Sequence, residues 1–254
     1  MLNFESIGSP VAKILDKTSK KEQIVYLSDP ELDGEVRNGY MNIKLEQHQS
    51  FQQIPDNKER NILYVTGASG SGKSYYSTDF LKQYIKKHPR NDVFLFSSVG
   101  EDKVLDAVKK LKRFKIYDAD FVNEEFSVED FKDTLLIFDD VDCISDKRVL
   151  KKVYEILDKA LVTGRHSGTS VVYTTHTACN GSKTKLILTE SHSITFFMNG
   201  MNGRSSKYLL DGYLGLDKKQ IQELKKIKSR WTTVIKSFPQ LILTQRQLIF
   251  SKDL

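Results

Sequence analysis

The segment that most constrains the fold is residues 61–74, which read Asn-Ile-Leu-Tyr-Val-Thr followed by Gly-Ala-Ser-Gly-Ser-Gly-Lys-Ser. The first six residues are apolar and β-branched enough to predict a buried strand. The next eight match the pattern Gly-x-x-x-x-Gly-Lys-Ser/Thr at every position. Residues 75–88 carry apolar side chains at helical spacing and end before Pro89. A strand, this loop and a helix in that order predict a phosphate-binding P-loop, the Walker A motif.

The residues of this loop favour ATP and Mg²⁺ as its ligands. Glycines let backbone N–H groups close around a phosphate chain without Cβ clashes. The predicted nucleotide-binding residues are Gly67, Ala68, Ser69, Gly70, Ser71, Gly72, Lys73 and Ser74. Lys73 is expected to reach the β- and γ-phosphates, and the hydroxyl of Ser74 is expected to ligate Mg²⁺.

A second nucleotide-site signature is predicted at residues 134–140, Thr-Leu-Leu-Ile-Phe-Asp-Asp, where an apolar run ends in two carboxylates. Such a run suits a central parallel strand that is buried on both faces. The strand delivers its last residues to the carboxyl edge of the sheet, where ligands bind. Asp139 is therefore predicted to hold Mg²⁺ as a Walker B aspartate, and Asp140 to orient and polarise the attacking water.

Predicted strands and helices alternate through the rest of the chain. The further predicted strands are residues 92–98, 114–117, 169–176, 193–198, 231–237 and 241–250. The further predicted helices are residues 104–111, 146–163, 207–214 and 217–228. Together with the P-loop, this alternation predicts an α/β, three-layer P-loop NTPase with a mostly parallel central sheet and helices on both faces.

The first part of the chain is predicted to be a small N-terminal extension, residues 1–58, before an ATPase domain over residues 59–254. It is polar and broken by turn signals, with short strands predicted at 23–27 and 40–45 and a linker at 49–58. The sequence does not indicate what this extension does.

Composition bounds the location and the partners. The chain of 254 residues has no apolar run long enough to cross a bilayer and no signal peptide at its start, so we expect no membrane association. Two cysteines suit a reducing compartment, and the predicted location is cytoplasmic or, for a viral protein, the host cytoplasm or the virion.

The net charge of +6 allows a polyanionic partner. Basic residues outnumber acidic ones by eleven to four over residues 201–254, although a solvated lysine-rich helix face would give the same pattern.

The order of the motifs resembles the FtsK–HerA superfamily of DNA-pumping motors, and within it the genome-packaging ATPases of poxviruses and other large DNA viruses. The resemblance lies in residues 163–176, where a helix ends in Gly-Arg-His and an apolar strand ends in a polar residue. The late Ser-Arg-Trp of residues 229–231, followed by a proline and apolar strands, also agrees. The resemblance covers residues 61–250. His176 stands where the superfamily usually has a polarising Gln; a histidine can still hydrogen-bond a γ-phosphate or water, but its protonation state then affects the rate.

The resemblance implies an ATP-hydrolysing translocase of double-stranded DNA that packages a viral genome into a capsid. It also implies a homo-oligomer, most simply a hexameric ring, with a capsid or portal protein as a further partner. Lys73, Asp140, Arg165 and His176 would then be catalytic, with Arg165 as an arginine finger that reaches the ATP of the neighbouring subunit. The plainer interpretation of Arg165 is a surface arginine near a helix C-terminus, and Arg204 is an open candidate for a second finger.

Two basic residues in a predicted loop over 177–185, Lys183 and Lys185, either touch DNA phosphates in a central channel or are ordinary surface lysines. Other functions also stay open at this point. A helicase or a conjugative pump would share these motifs, whereas a small-molecule kinase would need a lid with paired arginines between the two motifs. A nucleotide-gated scaffold would bind ATP without cleaving it and has no need of Asp140.

Overall fold

The chain separates into two units in the computed structural model, which describes residues 1–56, 60–198 and 203–254. We call Glu59–Ser191 the P-loop unit, and we call Met1–Lys58 together with His192–Leu254 the terminal unit. The predicted domain boundary between residues 58 and 59 lies outside the described residues. The division into an extension and an ATPase domain therefore stays a prediction.

The N-terminal part of the terminal unit contains five strands and a short 3-10 helix at Pro30–Glu35. The strands are β1 (Leu2–Asn3), β2 (Ser9–Asp16), β3 (Glu22–Leu27), β4 (Asn42–Lys44) and β5 (Gln49–Gln53). Four of them form an antiparallel sheet in the order β1-β3-β2-β5. The predicted linker is thus wrong at its start, because β5 pairs with β2 and buries Phe51.

The P-loop unit is built on five parallel strands in the order β6-β10-β9-β7-β8. Its elements are β6 (Ile62–Thr66), α1 (Lys73–Lys87), β7 (Asp92–Ser97), β8 (Leu111–Arg113), β9 (Thr134–Asp139), α2 (Lys147–Thr163), β10 (Ser170–Thr175) and α3 (Ser182–Glu190). Every residue of β6, β9 and β10 is buried, which explains their unbroken apolar runs. The parallel sheet flanked by helices confirms the predicted α/β fold class.

One predicted helix of this unit is wrong. Residues 101–110 form turns instead of the helix predicted over 104–111. The carboxylate of Asp102 accepts from the backbone N–H groups of Val104 and Leu105, as at a helix N-terminus. The N–H of Asp106 then donates to the carbonyl of Asp102, but the chain continues as an i→i+3 turn, with the N–H of Val108 bonded to Leu105, so no helix follows. The strand predicted over 114–117 is also wrong, because β8 ends before Phe114, whose ring stacks on Phe96 at a centroid distance of 4.4 Å.

The C-terminal part of the terminal unit alternates strands with two short helices. Its elements are β11 (Ser193–Phe196), α4 (Arg204–Tyr208), a π-helical turn (Leu209–Tyr213), α5 (Lys218–Lys226), β12 (Thr232–Ile235), β13 (Leu241–Thr244) and β14 (Gln247–Phe250). The strands pair antiparallel in the order β11-β12-β13-β14-β4. The single strand predicted over 241–250 is therefore two strands joined by a turn.

Both ends of the chain share the hydrophobic core of the terminal unit. Its members include Leu2, Val25 and Phe51 from the first strands and Leu243 and Phe250 from the last. The last strands thus bury apolar surface against the N-terminal segment. Within the ranges that the structure describes, no helix combines the length and the apolar character that crossing a bilayer requires.

Candidate nucleotide site

The loop between β6 and α1 has the backbone conformation of a phosphate-binding nest. Gly70 and Gly72 have φ values of +72° and +111°, in the left-handed region that residues with a Cβ rarely adopt. The N–H of Gly67 donates to the carbonyl of Thr175 at 3.2 Å, which ties the start of the loop to the end of β10. The loop leads directly into the positive end of α1, a position that favours anions.

The side chain of Lys73 is buried, and its ammonium group lies among three acceptors. Nζ donates to the carbonyl of Gly67 at 3.1 Å and to Nδ1 of His176 at 3.0 Å, and it lies 4.0 Å from Oδ1 of Asp140. A buried cation of this kind is held by hydrogen bonds and a neighbouring charge rather than by solvent. Lys73 is therefore fixed at the mouth of the P-loop, where the sequence predicted it.

The carboxylate of Asp139 is buried at the end of β9, and both of its oxygens accept hydrogen bonds from hydroxyl groups. Oδ1 accepts from Thr174 Oγ1 at 2.6 Å and Oδ2 from Ser97 Oγ at 3.0 Å. These two donors come from the strands on either side, in register with Asp139. Two neighbouring strands thus fix the orientation of the carboxylate.

The next residue, Asp140, adopts φ +46°, and this left-handed turn aims its side chain toward the P-loop. Oδ2 accepts from Nε2 of His176 at 2.9 Å. Oδ1 has no hydrogen-bond donor among the described residues. Burial raises the pKa of the Asp140 carboxyl above its ordinary value; the Lys73 ammonium opposes that rise, and the Asp139 carboxylate adds to it.

His176 follows β10 and bridges the two charged residues of the site. The Lys73 ammonium has only hydrogens to offer, so Nδ1 of His176 must accept. Nε2 then carries the proton that Asp140 receives in its hydrogen bond. This assignment defines a neutral imidazole with its hydrogen on Nε2, placed where the sequence predicted a substitute for a polarising Gln.

The oxygen groups at this edge of the sheet fit Mg²⁺. Magnesium prefers oxygen ligands and is commonly held by one or two protein groups together with phosphates and water. Ser74 and Asp139 supply a hydroxyl and a buried, oriented carboxylate, and Oδ1 of Asp140 is a buried acceptor to which no described residue donates. In the described part of the chain, no cluster of three or more His, Cys, Asp or Glu side chains forms a metal cage, which a magnesium ion shared with phosphates does not need.

Four polar residues at the site were not predicted from the sequence. Ser97 and Thr174 orient Asp139, Asp102 accepts from the hydroxyl of Ser74 at 2.9 Å, and Thr175 donates to Asp142. Three of the four lie at the carboxyl ends of parallel strands, which was the available signal. Asp102 lies in a turn segment and carried no such signal.

Arg165 is exposed in the turn between α2 and β10, at the opposite end of β10 from His176. Six residues of strand separate the two ends, or about 17 Å. Arg165 therefore does not reach the P-loop of its own chain. Lys183 and Lys185 are also exposed, and they lie on α3 rather than in the loop predicted over 177–185.

The chain is similar to proteins of known source. It is 37% identical over 195 residues to a protein of Sputnik virophage described as uncharacterized protein V3, covering 76% of this chain and 78% of that protein. The structure resembles the DNA-packaging ATPase B204 from Sulfolobus turreted icosahedral virus, with 15% identity, 73% and 98% of the two chains covered and a TM-score of 0.49. It also resembles the cytoplasmic domain of the type VII secretion ATPase EccC from Thermomonospora curvata, with 12% identity, 83% and 29% covered and a TM-score of 0.52. No protein-family model matches the chain.

At these identities the structural matches concern the fold. They confirm the α/β fold of a P-loop NTPase with a mostly parallel sheet. A protein described as a viral DNA-packaging ATPase is among the structural matches, and at this identity the likeness is one of fold alone.

Proposed function

The chain belongs to the same family as the V3 protein of Sputnik virophage, and we propose that it is an ATP-hydrolysing translocase of double-stranded DNA that packages a viral genome into a capsid. The observation that carries the hydrolytic part is the chain of contacts from Lys73 through His176 to Asp140 beside the P-loop. A protein that only held a nucleotide would need Lys73 and the loop. It would not need a second carboxylate whose position is fixed by a histidine.

The proposed chemistry assigns one task to each side chain. The nest of backbone N–H groups and Lys73 bind the phosphates, and Ser74 and Asp139 hold Mg²⁺, which when bound neutralises charge on the phosphate oxygens. Asp140 accepts a proton from the attacking water, and its raised pKa brings its basicity closer to what that transfer requires. His176 keeps the Asp140 carboxylate oriented, and once Lys73 turns to the γ-phosphate, Nδ1 of His176 is free to accept a hydrogen bond from water.

Support for DNA as the cargo comes from the motif order and from charge. The Gly-Arg-His turn after α2 and the polar tip of β10 are the features that resemble packaging ATPases. A net charge of +6 suits a polyanionic partner. The virophage source of the relative supports a viral setting, in the host cytoplasm or in the virion. In this proposal the chain acts as a ring, a hexamer in the simplest case, docked to a capsid or portal protein.

The test is ATP turnover by the purified chain with and without linear double-stranded DNA. DNA should stimulate turnover. Asp140→Asn should bind ATP but lose roughly 10²–10⁴-fold in turnover, because an amide cannot accept the proton of the water. Asp142→Asn is the matched control, since Asp142 lies two residues on and contacts Thr175 instead of His176.

Normal hydrolysis by Asp140→Asn would contradict the assigned base, and a loss in Asp142→Asn instead would transfer that role to Asp142. Turnover that DNA leaves unchanged would favour a solitary ATPase over a translocase. ATP binding without any turnover would favour a nucleotide-gated scaffold.

A further inference from the structure

We propose that Asp102 is a positioning residue for Mg²⁺ at the P-loop, acting through the hydroxyl of Ser74. No motif assigns this residue, which lies in a turn segment that follows β7. The inference rests on the proposed binding of ATP with Mg²⁺. It assigns to the Walker A serine a carboxylate partner that belongs to neither Walker motif.

The contact that carries the inference is the hydrogen bond from Ser74 Oγ to Oδ2 of Asp102, at 2.9 Å. A hydroxyl has one hydrogen and two lone pairs. When the hydrogen points at Asp102, the lone pairs face away from that carboxylate and remain available to a cation. Asp102 therefore sets the orientation in which Ser74 can act as a ligand.

The Walker B aspartate does not compete for this hydrogen. Both oxygens of Asp139 already accept from hydroxyls, those of Ser97 and Thr174. Each of the two proposed ligands of the ion thus has its own hydrogen-bond partners: Ser74 has the Asp102 carboxylate, and Asp139 has the hydroxyls of Ser97 and Thr174. Metal ligands that are oriented by their own hydrogen-bond partners hold a metal more tightly than ligands without such partners. Loss of such a partner typically lowers the affinity for the metal 10–100-fold.

Asp102 is itself held in place from two sides. Its Oδ1 accepts from the backbone N–H groups of Val104 and Leu105 at 2.8 and 2.9 Å. Its own N–H donates to Oδ2 of Asp106 at 2.7 Å. The guanidinium of Arg113 in turn binds Asp106 and the carbonyl of Val99. This network leaves Oδ2 of Asp102 as the oxygen that faces Ser74.

The two oxygens of Asp102 therefore have separate tasks, and Asp102→Asn tests one without the other. The amide oxygen can still accept from Val104 and Leu105 and keep the turn. The amide nitrogen replaces the oxygen that faced Ser74 and can only donate. It would take a lone pair of the Ser74 hydroxyl, the same resource that Mg²⁺ needs.

The experiment measures binding of a fluorescent ATP analogue to the full chain while MgCl₂ is titrated. Asp102→Asn should raise the Mg²⁺ concentration for half-maximal binding by about 10–100-fold. Its affinity for the analogue in excess chelator should match that of the unsubstituted chain. Asp106→Asn is the matched control, because it alters the same network without touching Ser74.

A double-substitution cycle separates the contact from general damage to the segment. In a Ser74→Ala background, Asp102→Asn should have no further effect on the Mg²⁺ requirement, since the shared contact is already lost. An unchanged Mg²⁺ requirement in Asp102→Asn would overturn the inference, and so would equal shifts in Asp102→Asn and Asp106→Asn. If the unsubstituted chain bound no analogue at any Mg²⁺ concentration, the proposed function itself would fail, and the inference with it.

Discussion

At the scale of the residue, Lys73 shows how the site can change partners without disturbing the fold. Its ammonium group makes two hydrogen bonds, to a backbone carbonyl and to the ring of His176, and its carboxylate neighbour Asp140 lies 4.0 Å away. A phosphate can replace His176 as acceptor while the bond to Gly67 stays. The hydrogen bond from His176 to Asp140 uses the other ring nitrogen, so it does not depend on the contact of Lys73 with Nδ1. Lys73 is therefore held by a hydrogen bond to His176 that a phosphate can take over, rather than by a close salt bridge with Asp140.

Lys73→Ala should abolish nucleotide-dependent activity and leave the fold intact. The lost contacts are charge-assisted hydrogen bonds to phosphate, which are worth about 1.5–3 kcal/mol each. ATP binding should therefore weaken at least tenfold, measured by isothermal titration, and turnover should disappear. Lys82→Ala, at an exposed position of the same helix, is the control and should behave as the unsubstituted chain. Undiminished ATP turnover in Lys73→Ala would contradict the assignment of residues 67–74 as a P-loop.

At the scale of the element, local sequence signals predicted what local interactions decide. The P-loop, the strand before Asp139 and the α2 helix each follow from a continuous pattern, and the structure contains all three. The signal failed where a distant contact decided the outcome. In β2 the buried side chain of Lys13 interrupts the apolar pattern, and it is tolerated because its ammonium pairs with Glu22 on β3 at 2.8 Å.

The residues of the candidate site also divide into those that a local motif predicts and those that only the assembled sheet brings together. Motifs with fixed spacing predict Lys73, Ser74, Asp139 and Asp140 as site residues, because the chemistry of each motif constrains its positions within one stretch of chain. The orienting hydroxyl of Ser97 became evident only from the register between β7 and β9. Register between strands is a property of the assembled sheet, and a single sequence does not specify it.

The helix predicted over 217–228 begins in the structure with a capping box, which a substitution can test. The side chain of Asp217 accepts from the N–H of Gln220, and the side chain of Gln220 accepts from the N–H of Asp217. Asp217→Ala should lower the free energy of unfolding by about 1 kcal/mol, measured by urea denaturation. Asp217→Asn keeps the acceptor and should lose less. Equal stability of the Ala variant and the unsubstituted chain would mean that the box does not stabilise α5.

At the scale of the whole molecule, the net positive charge leads to a testable prediction about DNA as the proposed partner. If DNA is bound through its phosphates, the logarithm of the affinity should fall linearly with the logarithm of salt concentration, because each neutralised phosphate releases counterions. Replacing Lys183 and Lys185 together by Ala should lower the slope by about 2 if both contact phosphates. Fluorescence anisotropy of labelled duplex DNA measures both quantities. An affinity that is the same at low and moderate salt would contradict DNA as the partner.

Substitutions of Arg165 test whether the molecule works alone or in a ring. It lies at the end of β10 remote from His176, so a role in hydrolysis requires the site of another copy. ATP turnover per chain should therefore rise with protein concentration as rings assemble. A guanidinium that stabilises charge on the transferring phosphoryl group is typically worth about 10³–10⁵ in turnover. Arg165→Ala should bind ATP normally and hydrolyse it more slowly by a factor of that order.

A mixture of Arg165→Ala with Lys73→Ala tests the geometry directly. Each variant is inactive alone for a different reason, since one lacks the guanidinium and the other lacks the phosphate contact. In a mixed ring, the intact P-loop of an Arg165→Ala subunit can meet the intact arginine of a Lys73→Ala neighbour. Some interfaces should then recover turnover, and the recovered rate should peak near equal proportions of the two variants. A solitary enzyme predicts no recovery at any ratio, so its absence, together with turnover independent of concentration, would return Arg165 to the role of a surface residue.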